Sequence, residues 1–459
     1  MTPGPTVIDR VVAEVDRQRD AIIALAVDLI RIPSETHPPG GDEGPVQRFI
    51  EARLRGIGLD VDVFEPWSVP GVLDHPGWWP GLEYDDRPNV VGVWNGTGGG
   101  RSLILNGHSD VVPAGPHDLW THDPYGAIVV DGRIYGRGAC DQKGGIAAMI
   151  TAVQVLSDLG LRPRGDVIVE SVVNEELGGY NGTLACCVKG YLAAAAIVTE
   201  PTQLEVVAAT KGGQTYKATV AGVNAHHAWW WQGVSAFDKA IVLKEALQRW
   251  EDLRAKELAS SPYFSDTTRR PKPALADTVW YVGAGDPNLM ACPASAELHF
   301  WVDVLPEDDR EDMLQRFEKH VLDHTAQDPF LAEHPPILER AIMRPFDGVA
   351  VPSDHPVIAS LVESHRAALG QTPEITGFDA ATDSMIFNLY TDTPAVVYGP
   401  TGAGAHAPDE YVEVDGLIEC TKTLALTILH FCGCDQVSST NQGPQQGHPI
   451  GPDRTPTSL

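Results

Sequence analysis

Hydrophobic residues recur at helical spacing over residues 8–31, at Ile8, Val11, Val12 and Val15 and then at Ile22, Ile23, Leu25, Ala26, Leu29 and Ile30. The pattern stops at Pro33, so it predicts an opening helix. Short apolar runs rich in β-branched residues follow at 61–64, 89–94, 103–105 and 167–173, with a helical stretch at 146–159 ahead of the last. Strands alternating with helices predict an α/β domain with a largely parallel sheet. After residue 202 the texture changes to strand-like 215–220, a helix over 235–254, strand-like 278–282 and 296–302, and a helix over 310–324. This block reads as an antiparallel α+β unit. Helical spacing resumes from His355, followed by a strand at 395–398 and a closing helix at 417–431. The chain therefore divides into a mixed-sheet α/β domain built from 1–211 and 343–435, an α+β insertion at 212–342, and a tail at 436–459. That tail is Pro, Gly, Gln, Ser and Thr with hardly an apolar residue, and it reads as disordered.

Composition adds limits. With 459 residues, 43% hydrophobic and 21% charged, the chain is of ordinary globular type and has room for a large core. Its 33 Lys and Arg against 62 Asp and Glu give a formal charge of −29, which repels nucleic acid and anionic membranes; neither is expected as a partner. The first eighteen residues lack a continuous apolar stretch, and no apolar run is long enough to span a bilayer, so a cytoplasmic location is expected. The 7 cysteines have no metal-finger spacing: Cys186 and Cys187 are adjacent, and Cys432 and Cys434 are two apart. They read as free, mostly buried thiols.

Candidate chemistry gathers where strands end. The run at 103–105 leads into His108, Ser109 and Asp110, and residues two apart on a strand share a face. A metal-bound imidazole usually gives its second ring N–H to a carboxylate, and Asp110 is spaced for that; alone, such a pair is more often a hydrogen-bonded pair without a metal. Asp141 sits in a Gly-rich turn, GRGACDQKGG, just before a helix. Glu175 and Glu176 end a buried-type strand, and adjacent carboxylates are costly unless a cation offsets their repulsion. Glu200 closes the run at 193–198, and His406 lies in a loop of small residues after 395–398. Ligands in open α/β sheets collect at the carboxyl ends of strands. Two His and three carboxylates form a mixed N/O set suited to Zn²⁺ and tolerable for Mn²⁺ or Co²⁺, with Asp141 able to bridge two ions.

The segments GHSDVVP, GRGACDQKGG, NEELGG, TEPT and GAHAPDEYV, in this order, resemble the M20 family of metallopeptidases and deacylases, the group that includes acetylornithine deacetylase and succinyl-diaminopimelate desuccinylase. The resemblance runs over nearly the whole chain. It implies a di-metal catalytic domain with an inserted lid and dimerisation domain. It implies that His108, Asp141 and Glu200 hold one ion and that Asp141, Glu176 and His406 hold the other. Asp110 would stand behind His108, and Glu175 would be the general base. A cis peptide is implied at Asp141 and Gln142. His226 matches the lid histidine that donates to the oxyanion, supplied in several relatives by the partner subunit, which implies a homodimer through the insertion. Lys211, Gly212, Gly213 and Pro345 are the expected hinges of the lid.

Two departures from the family bear on specificity. Many relatives carry a lid Arg that grips a substrate carboxylate, whereas residues 297–303 here read ELHFWVD. Trp229, Trp230 and Trp231 follow soon after His226, which suggests either a bulky or aromatic substrate group or else lid packing or a dimer contact. Asp379 and Asp383 fall where relatives line the cleft, to meet a substrate ammonium or to cap a helix starting near Ser384. The expected activity is hydrolysis of an N-acyl amino acid or related small N-acylated amine. A di- or tripeptidase or carboxypeptidase with the same centre, or a non-catalytic binding relative, stands as the alternative.

Overall fold

The computed structural model describes residues 5–436 except 177, 179, 267–273, 277, 287 and 341–343. The expectation of a disordered tail falls outside the described residues from 437 onward. The opening hydrophobic stripe is carried by two helices, Pro5–Arg17 and Arg19–Ile30, rather than one. Their buried residues join a core shared with the helices Gly144–Asp158 and Val414–Cys432.

The apolar runs at 89–94, 103–108 and 167–172 pair in one nine-stranded sheet. Leu103–His108 lies parallel to both Val167–Val172 and Ala195–Val198, and the latter is parallel to Ala395–Val397. Asn89–Trp94 and Asp60–Phe64 add antiparallel strands on one side. Val206–Thr210 on the other side pairs antiparallel with Val349–Ala350 and parallel with Ile375–Phe378. The sheet is thus mixed, where the strand–helix alternation alone suggested a largely parallel one.

Both faces are covered. Leu103, Leu105, Val167, Val169 and Ile197 bury against the long helices, while Ile104, Ile168, Ala196 and Val198 point into a second apolar layer with Leu184 and Met385. Alternate residues face opposite layers, and because each layer is apolar these strands read as continuous hydrophobic runs.

Residues between Gly212 and Arg340 build a second, fully antiparallel four-stranded sheet in the order Val279–Ala284, Ser295–Val304, Gly212–Ala221, Ile337–Arg340. Its inner face, with Tyr216, Phe300 and Val302, packs on the helices Ala236–Glu257 and Arg310–Thr325 through Leu243, Leu247, Trp250 and Phe317. A single residue, Lys211, joins Val206–Thr210 of the large sheet to Gly212–Ala221 of the small one. All seven cysteines are free, five of them buried. No described helix is long and apolar enough to cross a membrane.

Candidate metal centre

The parallel strands Leu103–His108, Val167–Val172 and Ala195–Val198 finish at the same edge of the sheet. Their ends deliver His108, the pair Glu175 and Glu176, and Glu200 to one place. Asp141 arrives on the turn that opens the helix Gly144–Asp158, and the bond between Asp141 and Gln142 is cis. That helix starts hard against a strand end: a Cβ on Gly145 would lie 2.1 Å from the Thr199 carbonyl oxygen, so only glycine fits there. His406 comes from the loop after Ala395–Val397.

Asp141 lies between two histidines. Its Oδ1 is 3.0 Å from His108 Nε2 and its Oδ2 3.5 Å from His406 Nε2. Glu200 Oε1 lies 3.5 Å from His108 Nε2, and Glu176 Oε2 lies 2.8 Å from His406 Nε2. Two donor clusters therefore share one carboxylate. Glu175 stands further back, its Oε2 4.0 Å from His108 Nε2. Ligand atoms of His108, Asp141 and Glu176 fall within 4.8 Å of one another.

The electrostatics match this crowding. Burial, and next the Asp141 charge, push the carboxyls of Glu176 and Glu200 up to about 7. Burial also lifts Glu175 well above the carboxylate range. For Asp141 burial acts upward too, but hydrogen bonds from His108 and His406 outweigh it and hold this carboxyl low. His406 rises to about 10 through its hydrogen bonds to Asp141 and Glu176. So many carboxylates in one buried space need positive charge among them. Two imidazole nitrogens and several carboxylate oxygens, divided about Asp141, fit two divalent cations.

The surrounding contacts differ from the sequence expectation at Asp110. His108 Nδ1 is 2.9 Å from the backbone oxygen of Asp110, while the Asp110 carboxylate is 3.8 Å away. That carboxylate instead accepts from the backbone N–H groups of Glu175 at 3.2 Å and Glu176 at 3.1 Å. The turn after Val167–Val172 offers two unpaired main-chain donors, and the carboxylate satisfies both. The His108 ring is thus oriented by a carbonyl, and Asp110 fixes the two glutamates.

Glu410 is a positioning residue that the sequence reading passed over. Its Oε1 accepts from the N–H groups of Cys140 at 2.9 Å and Asp141 at 3.0 Å. Its Oε2 accepts from Gly138 N–H at 3.1 Å and from the buried Arg137 at 2.6 Å. One carboxylate therefore shapes the turn that presents Asp141. Glu410→Gln, which replaces one acceptor by a donor, is expected to weaken metal affinity by roughly 10- to 100-fold. A competitive chelator titration reads this directly, and unchanged affinity would refute the role.

Beside the centre lies a cavity of about 700 Å³ lined by Asp141, Glu175, Glu176, Glu200 and His406 at one part and by Trp280, Trp301, Phe378 and Asp379 at another. Trp229, Trp230 and Trp231 do not line it and are 54%, 68% and 62% exposed. Nor does His226, which pairs through Ala225–His226 with Ala291–Cys292 and is exposed. Asp383 is fully buried and makes no side-chain cap for the helix Ser384–Tyr390.

The profile of peptidase family M20/M25/M40 matches residues 104–430. The chain is 30% identical over 450 residues to the N-formyl-4-amino-5-aminomethyl-2-methylpyrimidine deformylase of Halalkalibacterium halodurans, covering 93% of this chain and 98% of that one. It is 30% identical over 416 residues to the succinyl-diaminopimelate desuccinylase of Rhodospirillum centenum, covering 87% and 94% respectively. The crystal structure of human carnosine dipeptidase 1 superposes with a TM-score of 0.69, covering 94% of this chain and 100% of that one at 14% identity, so it shares the fold. Motifs, sheet, split donor cluster and full-length similarity converge, and this chain belongs to peptidase family M20/M25/M40.

Proposed function

We propose that this chain is a di-metal amidohydrolase that cleaves the amide of an N-acyl amino acid or related small N-acylated amine. The observation that carries the reading is Asp141, whose two oxygens face separate donor clusters beside an open cavity. His108, Asp141 and Glu200 would hold one ion, and Asp141, Glu176 and His406 the other. The mixed donor set favours Zn²⁺, with Co²⁺ or Mn²⁺ next. Two such ions polarise an amide carbonyl and make nearby water acidic enough to lose a proton at neutral pH.

Glu175 lines the same cavity and stands outside both donor clusters. It takes the proton from water as the oxygen adds to the carbonyl carbon, then returns it to the leaving nitrogen as the C–N bond breaks. Asp110, through the N–H groups of Glu175 and Glu176, holds this base in register with the ligands. Relatives named deformylase and desuccinylase support an acyl rather than a peptidyl substrate. Metal-loaded protein assayed on N-formyl, N-acetyl and N-succinyl amines beside dipeptides tests this; dipeptides cleaved far faster would favour the peptidase alternative.

The oxyanion donor belongs to a homodimer. His226 lies outside the cavity lining of its own chain, on the short strand pair of Ala225–His226 with Ala291–Cys292, and Trp230, Trp231, Leu289 and Met290 of the neighbouring segments are exposed. A second copy would cover this apolar surface and bring His226 of the partner subunit to the cavity. His226→Ala is expected to lower kcat about 100-fold. Dilution below the dimer dissociation constant should lower specific activity likewise, and activity independent of concentration in a monomeric sample would defeat this assignment. Free thiols and the lack of a spanning helix among the described residues support a cytoplasmic location.

A further inference from the structure

Resting on the amidohydrolase reading, we propose that Tyr180 is the positioning residue of the general base: its hydroxyl holds the Glu175 carboxylate in the orientation that takes a proton from water.

The main chain bends sharply to place this ring. Tyr180 has a φ of +50°, a left-handed conformation that a bulky residue seldom adopts, and it directly precedes the helix Asn181–Lys189. Its N–H donates to the Asn174 carbonyl at 3.0 Å, which closes the turn that carries Glu175 and Glu176. Tyr84 ties the two ends of that turn together. Its hydroxyl donates to Asn174 Oδ1 at 2.6 Å and accepts from Asn181 Nδ2 at 2.8 Å. The unfavourable conformation is therefore fixed from both sides, which is how local strain persists at functional positions.

The ring is held as firmly as the backbone. It is 4% exposed, packs in the apolar layer of Leu184 and Met385, and meets Phe346 edge-on, with centroids 5.1 Å apart and planes at 80°. Phe346 in turn exchanges two main-chain hydrogen bonds of 3.0 Å with Gly213, where the chain passes between the large and small sheets. From this clamped position Tyr180 lines the cavity beside Glu175, and its hydroxyl hydrogen-bonds the Glu175 carboxylate.

The chemistry of the pair sets the direction of the bond. An ionised carboxylate only accepts, so the phenol donates. Burial, and next the Glu175 charge, raise the Tyr180 phenol well above its ordinary value, which keeps it a donor. Asp110 acts on the main-chain N–H of Glu175, and the side-chain torsions beyond that point need a partner at the carboxylate itself. A hydroxyl on an immobile ring supplies one. With one lone pair of the carboxylate engaged in this way, another faces the water, and the base is aligned before the substrate binds.

A double-mutant cycle on metal-loaded, full-length protein tests this, with Tyr180→Phe, Glu175→Ala and the two combined. Phenylalanine removes the hydroxyl alone and keeps the ring against Phe346. The probes are the N-formyl, N-acetyl and N-succinyl derivatives of methionine and of benzylamine, and the one turned over fastest is carried through the cycle. Tyr180→Phe is expected to lower kcat by about 10- to 100-fold, with KM within about 2-fold and the metal content unchanged. In the Glu175→Ala background the same substitution should alter kcat by less than about 2-fold. Melting temperatures should show the same dependence, with Tyr180→Phe lowering the value by about 2 °C only where Glu175 is present. An unchanged kcat, or an equal loss with and without Glu175, overturns the inference and leaves the amidohydrolase reading in place. A raised KM at unchanged kcat also overturns it, by making Tyr180 a substrate contact. Coupled melting temperatures with none of the amides hydrolysed would uphold the hydrogen bond and overturn the amidohydrolase reading instead. Neither coupling nor hydrolysis sinks both.

Discussion

Replacing Glu175 with Gln is expected to lower kcat by roughly 100- to 10,000-fold, the range for removing a positioned acid–base group, while two ions remain bound. The amide has nearly the shape of the carboxylate, so the turn held by Asp110 through the Glu175 and Glu176 N–H groups stays as it is. What changes is basicity. Glu176 and Glu200 approach His406 and His108 to 2.8 Å and 3.5 Å, whereas Glu175 stays at 4.0 Å from His108. Metal content by elemental analysis should therefore match the unsubstituted protein. Retained turnover would refute the base assignment, and loss of one ion would make Glu175 a ligand.

Asp141→Asn should be the most damaging change to metal binding, because the same side chain faces both donor clusters. We expect both ions to be lost together, whereas His406→Ala should lose one. Activity should fall below detection in the Asn variant. Stripping the unsubstituted protein with a chelator should abolish activity reversibly and lower the melting temperature. The sign follows from linkage: an ion that binds the folded chain and not the unfolded one stabilises it by RT ln(1 + [M]/Kd), about 2.7 kcal/mol per site at 100 times Kd. In the stripped protein, Glu175, Glu176 and Glu200 remain buried around Asp141 without that compensation. A melting temperature indifferent to metal would contradict the two-ion centre.

Much of this architecture was legible in the chain. The runs at 89–94, 103–105 and 167–173 became central strands because both faces are covered, which leaves an unbroken apolar signature. The helices at Gly144–Asp158, Ala236–Glu257 and Val414–Cys432 lay where their periodicity put them. Val206–Thr210 and Ile375–Phe378 were not visible, since VVAAT and ITGF are too short to show a period and owe their pairing to distant partners. Their pairings add to the mixed character that Asn89–Trp94 and Asp60–Phe64 give the sheet on its other side.

At the site, His108, Asp141, Glu176, Glu200 and His406 were legible because strand ends and Gly-rich turns mark them, and the fold gathers all five. The roles of Asp110 and Glu410 were not, because a carboxylate that accepts from main-chain N–H groups has no partner side chain to betray it in the sequence. The tryptophans that line the cavity were hidden for a related reason. Trp229, Trp230 and Trp231 come three to five positions after His226 yet are exposed, while Trp280 and Trp301 reach the cavity from strands of the small sheet, which nearness in sequence does not report.

Glu410 also bears on how the protein is made. The turn carrying Asp141 is emitted early in synthesis, but four of its polar contacts wait for a carboxylate that lies 269 positions further on from Asp141. His406 emerges in the same late segment. A nascent chain still short of residue 410 therefore lacks the finished turn and, before residue 406, the last of the five gathered donors, and metal loading is expected to follow the completion of translation instead of guiding the folding of the emerging first half.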